Sequence, residues 1–382
     1  MIKGFIFFRD GKIPFVTEKY KMELFTYDNL LKEFSEEYNY KSNYVLQGQV
    51  FVSGIQGRNA TFLVEQSIGS TCYLNCYTVS VAYAEEGYDA IGFQSPYLDD
   101  VFRYSYNFLD MVRSGINISA KPQVIYDIPF LMDDTQYNLS YRIGHENALG
   151  LLEDFDRKGE TMVSLKSGEI LECYNLATVM YRLAKFMVSH ANVPFKQISL
   201  YKNGWKAGWF YCPYISEDAF SGYEGDFFEF DVMNYIPRIL NNVALDSGNK
   251  ITKSIPLGHL GDYQTLFSPQ RFLEQVMAFE YLFEKLEPKK AKDRTFPLKE
   301  ELKYMFDQFP QLISLKHLTS EMVSEQIKEI RRTIAHGYAY YYDFKGDSGS
   351  RYLMILLDQL IECMSLKWMG FTKEEIDEYR IH

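Results

Sequence analysis

The sequence predicts an α+β protein: a β-rich N-terminal domain with a packed helix, followed by an all-α helical bundle. Three observations carry that prediction. Up to about residue 215 the apolar residues fall in short runs rich in β-branched and aromatic side chains, bounded by Gly and Asn. From residue 268 onward they recur at helical spacing. Between the two, "LDSGNKITKSIPLGHLGDYQ" (245–264) is dense in Gly, Pro and Ser and reads as a boundary. A chain of 382 residues is also long for one core. The expected domains are therefore 1–250 and 265–382.

Along the first domain, "MIKGFIFFRDGK" reads as an opening strand, its apolar run being too short for a signal peptide. "NYVLQGQVFVSG" (43–54) and "NATFLVEQSIG" (59–69) read as strands. "TCYLNCYTVSVAYAEEG" (71–87) continues with partial alternation towards a turn at Gly87-Tyr88-Asp89. "FRYSYNFLDMVR" (102–113) reads as a strand, or a strand running into a helix. "ETMVSLKSGEILE" (160–172) reads as a hairpin turning at Ser167-Gly168. The period then changes: Leu176, Val179, Met180, Leu183, Phe186 and Met187 make one face of a helix over 175–191. "QISLYK" and "GWFYCPY" return to strand character.

In the second domain, Ser268-Pro269 is an N-cap followed by proline at the first helical position, where its missing N–H costs nothing. That helix runs to about Leu286. "PKKAKDR" (288–294) reads as a basic loop, and further helices cover about 297–309 and 319–336, the latter stopped by Gly337. "RYLMILLDQLIECMSLKWM" (351–369) is apolar round most of its circumference and ends at Gly370. It needs cover on more than one side, from a partner subunit or from the N-terminal domain. The last helix starts at Thr372, with Glu375 completing a capping box and Phe371 and Ile376 placed as a staple.

Hydrophobic residues make up 47% and charged residues 24%, which suits a globular protein in water, and no stretch reaches the length of a bilayer span. Net charge is −11, which excludes a generic nucleic-acid coat: any RNA contact must be local. From residue 265 on, 17 Lys and Arg stand against 19 Asp and Glu, so nearly all the acidity lies earlier. Five sparse cysteines argue against a disulfide framework and for a reducing, cytoplasmic setting. Cys72 and Cys76 are spaced CxxxC without a second pair, His145-Glu146 and His190 match no metal motif, and the pairs Asp99-Asp100 and Asp133-Asp134 are ordinary loop acids. The sequence predicts neither a metal nor a cofactor.

The chemistry concentrates in "RRTIAHG" (331–337). Arg332 and His336 are four apart and share a helix face, while Ile330 and Ile334 face a core; Arg331 sits further round. Guanidinium forks suit phosphate oxygens, and imidazole moves protons near neutral pH. RNA brings its own nucleophile, the 2′-OH, so cleavage needs only a base, an acid and charge stabilisation. One His cannot conveniently serve both sides of one phosphorus, whereas a symmetric dimer supplies a second set. The competing reading is a solvated helix end, since the macrodipole also favours cations there.

The stretch "IKEIRRTIAHGYAY" resembles the signature of HEPN domains, helical bundles with an R-x(4–6)-H motif late in a helix: Arg331, four residues, His336. "SPQRFLEQVMAFEYLFE" is similar to the first helix of the ApeA-like HEPN group, and "GFQSPYLDDVFRYSYNFLD" loosely to a piece of that group's N-terminal domain. The resemblance implies a HEPN bundle over 265–382 behind an ApeA-like sensing or regulatory domain. It implies a metal-independent endoribonuclease, a hydrolase of antiviral defence that acts as a toxin in bacterial abortive infection. The expected assembly is a homodimer or higher even oligomer, and the expected partners are RNA, tRNA among the candidates, and a phage-derived trigger, with no membrane. By the same resemblance Arg331 binds the scissile phosphate, His336 is the acid or base, and Arg332 assists. The alternative is a catalytically idle HEPN module serving dimerisation and binding, with an N-terminal domain that senses a phage ligand.

Overall fold

In the computed structural model the first six strands close on themselves. They are β1 (Ile2–Phe8), β2 (Gly11–Glu18), β3 (Lys21–Leu24), β4 (Tyr44–Phe51), β5 (Arg58–Gly69) and β6 (Asn75–Tyr83). The pairing runs β3-β2-β1-β4-β5-β6, and β3 returns to pair with β6, making a six-stranded antiparallel barrel. The structure describes residues 2–18, 20–25, 29–38, 43–51, 57–69, 75–83, 87–103, 123–143, 159–188, 193–216, 235–246, 267–293, 295–313, 317–338, 344 and 346–380.

Alternation explains the barrel. In β4 every second residue (Tyr44, Leu46, Gly48, Val50) faces inward, as the period of a pleated strand requires. Ile6, Phe8, Ile13, Phe15, Leu46, Val50 and Phe62 fill the interior, with Phe34 of helix α1 (Asn29–Tyr38) among them. Gly48 is required where it stands: a Cβ there would lie 2.2 Å from the Phe5 carbonyl oxygen. A register shift in β5 between Val64 and Gln66 marks a bulge, a device that bends a strand round a barrel.

A second antiparallel sheet grows from β6. Its strands are β7 (Ala90–Gln94), β8 (Gln123–Met132), β9 (Thr135–Ile143), β10 (Gly159–Ser164), β11 (Gln197–Lys202) and β12 (Trp205–Tyr211), in the order β12-β11-β7-β10-β9-β8. The outer edge of β6 is divided: Cys76–Thr78 pair with β3, and Val81–Tyr83 with β12. Asp133 and Asp134 both have positive φ (48° and 59°), the pattern of a two-residue turn between β8 and β9.

Helices α2 (Pro96–Arg103) and α3 (Ile170–Val188) lie within this part of the sequence. All six residues chosen for the helix face, from Leu176 to Met187, are buried. Three expectations are corrected. The segment 160–172 is not a hairpin: β10 runs to Ser164, and Ser167-Gly168 turns the chain into α3. Glu172, in the first turn of α3, decides this. Its carboxylate accepts the backbone N–H of Lys166 (2.7 Å), Ser167 (2.9 Å) and Gly168 (2.8 Å) and the hydroxyl of Tyr137 (2.9 Å). Residues 102 and 103 end α2, while the rest of "FRYSYNFLDMVR" lies outside the described residues. The domain also holds more helices than the one expected.

The remaining helices are α4 (Ile236–Ala244), α5 (Pro269–Leu286), α6 (Pro288–Ala291), α7 (Leu298–Gln308), α8 (Ser320–Ala335), α9 (Ser348–Trp368) and α10 (Lys373–Arg380). Backbone contacts divide the chain into two units, residues 1–130, 134–181 and 193–223 against 131–133, 182–192 and 224–382. The segment 247–266 that contains most of the expected boundary lies outside the described residues.

Within the helical unit α5 lies along α9: Arg271 pairs with Asp358 at 3.0 Å, and Gln275 donates to the Met354 carbonyl at 3.1 Å. On α8, Val323, Ile327, Ile330 and Ile334 are buried, as their spacing requires. The chain buries Leu353, Met354, Leu356, Leu357, Leu360 and Ile361 of α9 by itself, leaving Ile355 exposed at 43%. The apolar girth of α9 is therefore no argument for a partner subunit. Pro288–Ala291 forms one helical turn where a loop was expected.

The caps follow the sequence signals. Ser268 accepts the Arg271 N–H at 3.1 Å. At α10 Thr372 and Glu375 exchange bonds: the Thr372 N–H donates to Glu375 at 2.7 Å, and the Glu375 N–H donates to the Thr372 hydroxyl at 3.2 Å. Glu375 also pairs with Arg238 of α4 at 3.2 Å. Thr372→Ala removes one half of this box and is expected to cost about 1 kcal/mol, read as a lowered urea midpoint at unchanged slope. No helix among the described residues is long and apolar enough to cross a membrane.

Candidate functional site

Helix α8 places the three predicted residues on its last turn. Thr319 starts the helix by accepting the Met322 N–H at 3.2 Å. Gly337 ends it with φ +86°, and the Gly337 and Tyr338 N–H groups return to the carbonyls of Ile334 (2.9 Å) and Thr333 (3.1 Å). This pair of bonds is the Schellman arrangement, and it makes His336 the C-cap, its N–H bonded to the Arg332 carbonyl at 3.1 Å. A side chain at the C-cap leaves the cylinder beyond the last turn, so the imidazole of His336 is exposed.

Arg331 and Arg332 are exposed too, at 44% and 65% of their side chains, and each meets a carboxylate. Arg331 reaches Glu280 of α5 at 3.5 Å, and Arg332 pairs with Glu329, one turn back on α8, at 2.7 Å. The two guanidiniums therefore hold separate partners. Exposed pairs of this kind contribute little, typically under about 1 kcal/mol, so an arriving phosphate can displace them. Arginine forks and an imidazole at one helix end can hold a phosphodiester and move a proton at it.

Glu280 and Glu301 add an element that the sequence does not reveal. Glu301 of α7 is partly buried near Glu280, and burial together with the Glu280 charge pushes its carboxyl up to about 7. A carboxyl raised in the folded state makes the protein lose stability as pH rises from about 4.5 to about 7, where the unfolded chain has released that proton and the folded chain still holds it. Glu301→Gln is expected to raise the melting temperature at pH 8 relative to the wild type and to leave it nearly unchanged at pH 4, read by calorimetry at the two pH values.

A cleft of about 630 Å³ lies between α8 and the start of α9. Gln326, Glu329 and Ile330 line it from α8, and Asp347, Tyr352 and Leu353 from the other side. Glu329 thus faces the cleft and holds Arg332.

The other sequence candidates have structural employment. Asp99 is buried and accepts the Tyr141 hydroxyl. Lys290 of "PKKAKDR" pairs with Glu287 at 3.0 Å and lies over the Tyr304 ring. His145, Glu146, His190 and Cys72 lie outside the described residues, as does the side chain of Cys76. Comparison of the chain with protein-family models, with curated proteins and with solved structures returns no match.

Proposed function

We propose that the chain is a metal-independent endoribonuclease of the HEPN type, working through Arg331, Arg332 and His336. The observation that supports this most is the exposure of all three at the C-terminal end of α8, while Val323, Ile327, Ile330 and Ile334 of that helix are buried. A solvated helix end needs no imidazole at the cap. In this reading the arginines exchange their carboxylate partners for the phosphate oxygens and stabilise charge as the 2′-OH attacks. His336 takes or gives a proton, and a second copy of the chain supplies the complementary group from the opposite side. The expected product ends are a 2′,3′-cyclic phosphate and a 5′-OH.

The physiological role that goes with this is arrest of an infected cell by cutting tRNA or other cellular RNA, in the cytoplasm, after a phage-derived trigger. The test is incubation of total RNA with the protein in EDTA, followed by sequencing of RNA ends. Cleavage in EDTA that His336→Ala lacks supports the reading. A His336→Ala protein that still protects cells would instead favour the idle binding module.

A further inference from the structure

The cleft beside α8 has a composition that an RNA-cutting site would use and that Arg331, Arg332 and His336 do not account for. Its volume, about 630 Å³, falls in the ~300–1,000 Å³ range of sites that take small molecules. Its walls are mixed. Ile330 and Leu353 are apolar, Gln326 offers both a donor and an acceptor, and Glu329 and Asp347 bring carboxylates. Tyr352 adds its ring, while its hydroxyl is closed off from solvent.

Charge decides which part of a ligand can enter. The cleft includes the N-terminus of α9, ordinarily a phosphate site. Here Asp347 already occupies that end: its carboxylate accepts the N–H of Gly349 at 3.1 Å and of Ser350 at 2.9 Å. The Ser350 hydroxyl, which also donates to it, and these two N–H groups hold its carboxyl below the usual range. With two carboxylates, Asp347 and Glu329, against the single imidazole of His317 in its lining, the cleft disfavours phosphate and favours a neutral, planar group bearing N–H and O–H donors. Phosphate belongs outside, at Arg332. Glu329 joins the two environments, since it lines the cleft and sits 2.7 Å from the Arg332 guanidinium.

We propose that this cleft is a nucleoside subsite, holding the base and ribose of one RNA residue whose phosphate is held at Arg332. The inference rests on the ribonuclease reading and names where its substrate is gripped. When phosphate takes Arg332, Glu329 keeps its pairing with Lys328 at 3.4 Å, and its other oxygen becomes an acceptor for a ribose hydroxyl or a base amino group. Gln326 supplies a further polar contact, and the Tyr352 ring an apolar face for the base.

The test uses the full chain carrying His336→Ala, so that RNA stays intact. Its probes are fluorescent single-stranded octaribonucleotides with and without bases, together with AMP and CMP. The base-bearing octamer is expected to bind more tightly than the abasic one. Gln326→Ala, at an exposed position of α8, is expected to weaken the base-bearing octamer about two- to tenfold and to leave the abasic one unchanged. Arg332→Ala weakens both. Equal binding of the two octamers, with Arg332→Ala still weakening both, overturns the subsite and leaves the ribonuclease reading standing. No binding of either octamer overturns both. Saturable binding of AMP or CMP that Gln326→Ala abolishes, without base dependence in the octamers, assigns the cleft to a free nucleotide and overturns the strand-bound reading.

Discussion

If the chain is the proposed ribonuclease, His336→Ala is expected to lower RNA cleavage by about 10²–10⁴-fold, the range for loss of a general acid or base, and to leave the thermal midpoint in place. Both halves follow from where the residue sits. The imidazole is exposed, so its removal opens no cavity, and the turn that ends α8 is made by Gly337 and backbone bonds, which alanine at 336 preserves. The residue therefore carries chemistry or nothing. Arg331→Ala and Arg332→Ala should differ from it and from each other. Losing Arg331 also frees Glu280, whose charge then acts on Glu301 without a neighbouring cation. Losing Arg332 leaves Glu329, beside the cleft, with Lys328 as its remaining cation. A His336→Ala protein that cuts RNA at the wild-type rate sinks the assignment. Quantifying cleaved ends by sequencing, next to a melting curve of the same preparation, separates loss of chemistry from loss of fold.

Glu172→Ala is the substitution expected to damage the fold most through a single side chain. Burial alone would push the Glu172 carboxyl up, but the N–H groups of Lys166 and Gly168 and the hydroxyls of Ser167 and Tyr137 outweigh it and hold the carboxyl below its ordinary value. Alanine strips that partner from three backbone N–H groups and leaves a gap against Tyr137. The cost should be on the order of 3–5 kcal/mol, or roughly 10 °C for a unit of this size. The pH dependence has a definite sign. A lowered folded-state value means that the stabilisation is present above the unfolded value, 4.5, and is lost as pH falls below it through the folded one. Denaturation of wild type and variant at pH 7 and pH 3 should therefore converge at the lower pH. A variant as stable as the wild type at pH 7 would show that the turn holds itself.

The comparison of sequence with structure divides along the range of the forces involved. Short-range signals were legible. The spacing of Val323, Ile327, Ile330 and Ile334, the stop at Gly337, and the reciprocal bonds of Thr372 and Glu375 each depend on neighbours within a few residues. Ser167-Gly168 was legible as a turn and misleading in kind. A Ser-Gly pair serves a hairpin and a strand-to-helix corner equally, and the choice lies with Glu172 and with Tyr137 thirty-five residues earlier in the chain. Closure of the barrel was illegible for the same reason, since it needs β3 to meet a strand some fifty residues later. In the candidate site, Arg331, Arg332 and His336 stood out by residue type. Glu280 and Glu301 did not, because only the packing of α5, α7 and α8 sets Glu280 near Arg331 and Glu301 near Glu280.

The divided edge of β6 bears on how this chain avoids sticking to its own copies. A twelve-stranded open sheet would offer two rows of unsatisfied N–H and C=O groups to any passing strand. Because β3 turns back onto β6, one of the two ends disappears into the ring, and among the described strands β8 is left as the terminal one. That strand carries its own deterrents, Pro129, which has no N–H to offer, and the exposed carboxylate of Asp127. Among the described residues, protection against fibril-like growth therefore rests on Asn241 of α4, whose side chain takes the Leu131 N–H at 2.7 Å, and on the pair Pro129 and Asp127. Concentrated solutions in which both are replaced by threonine should turn β-aggregated, while the barrel itself stays folded.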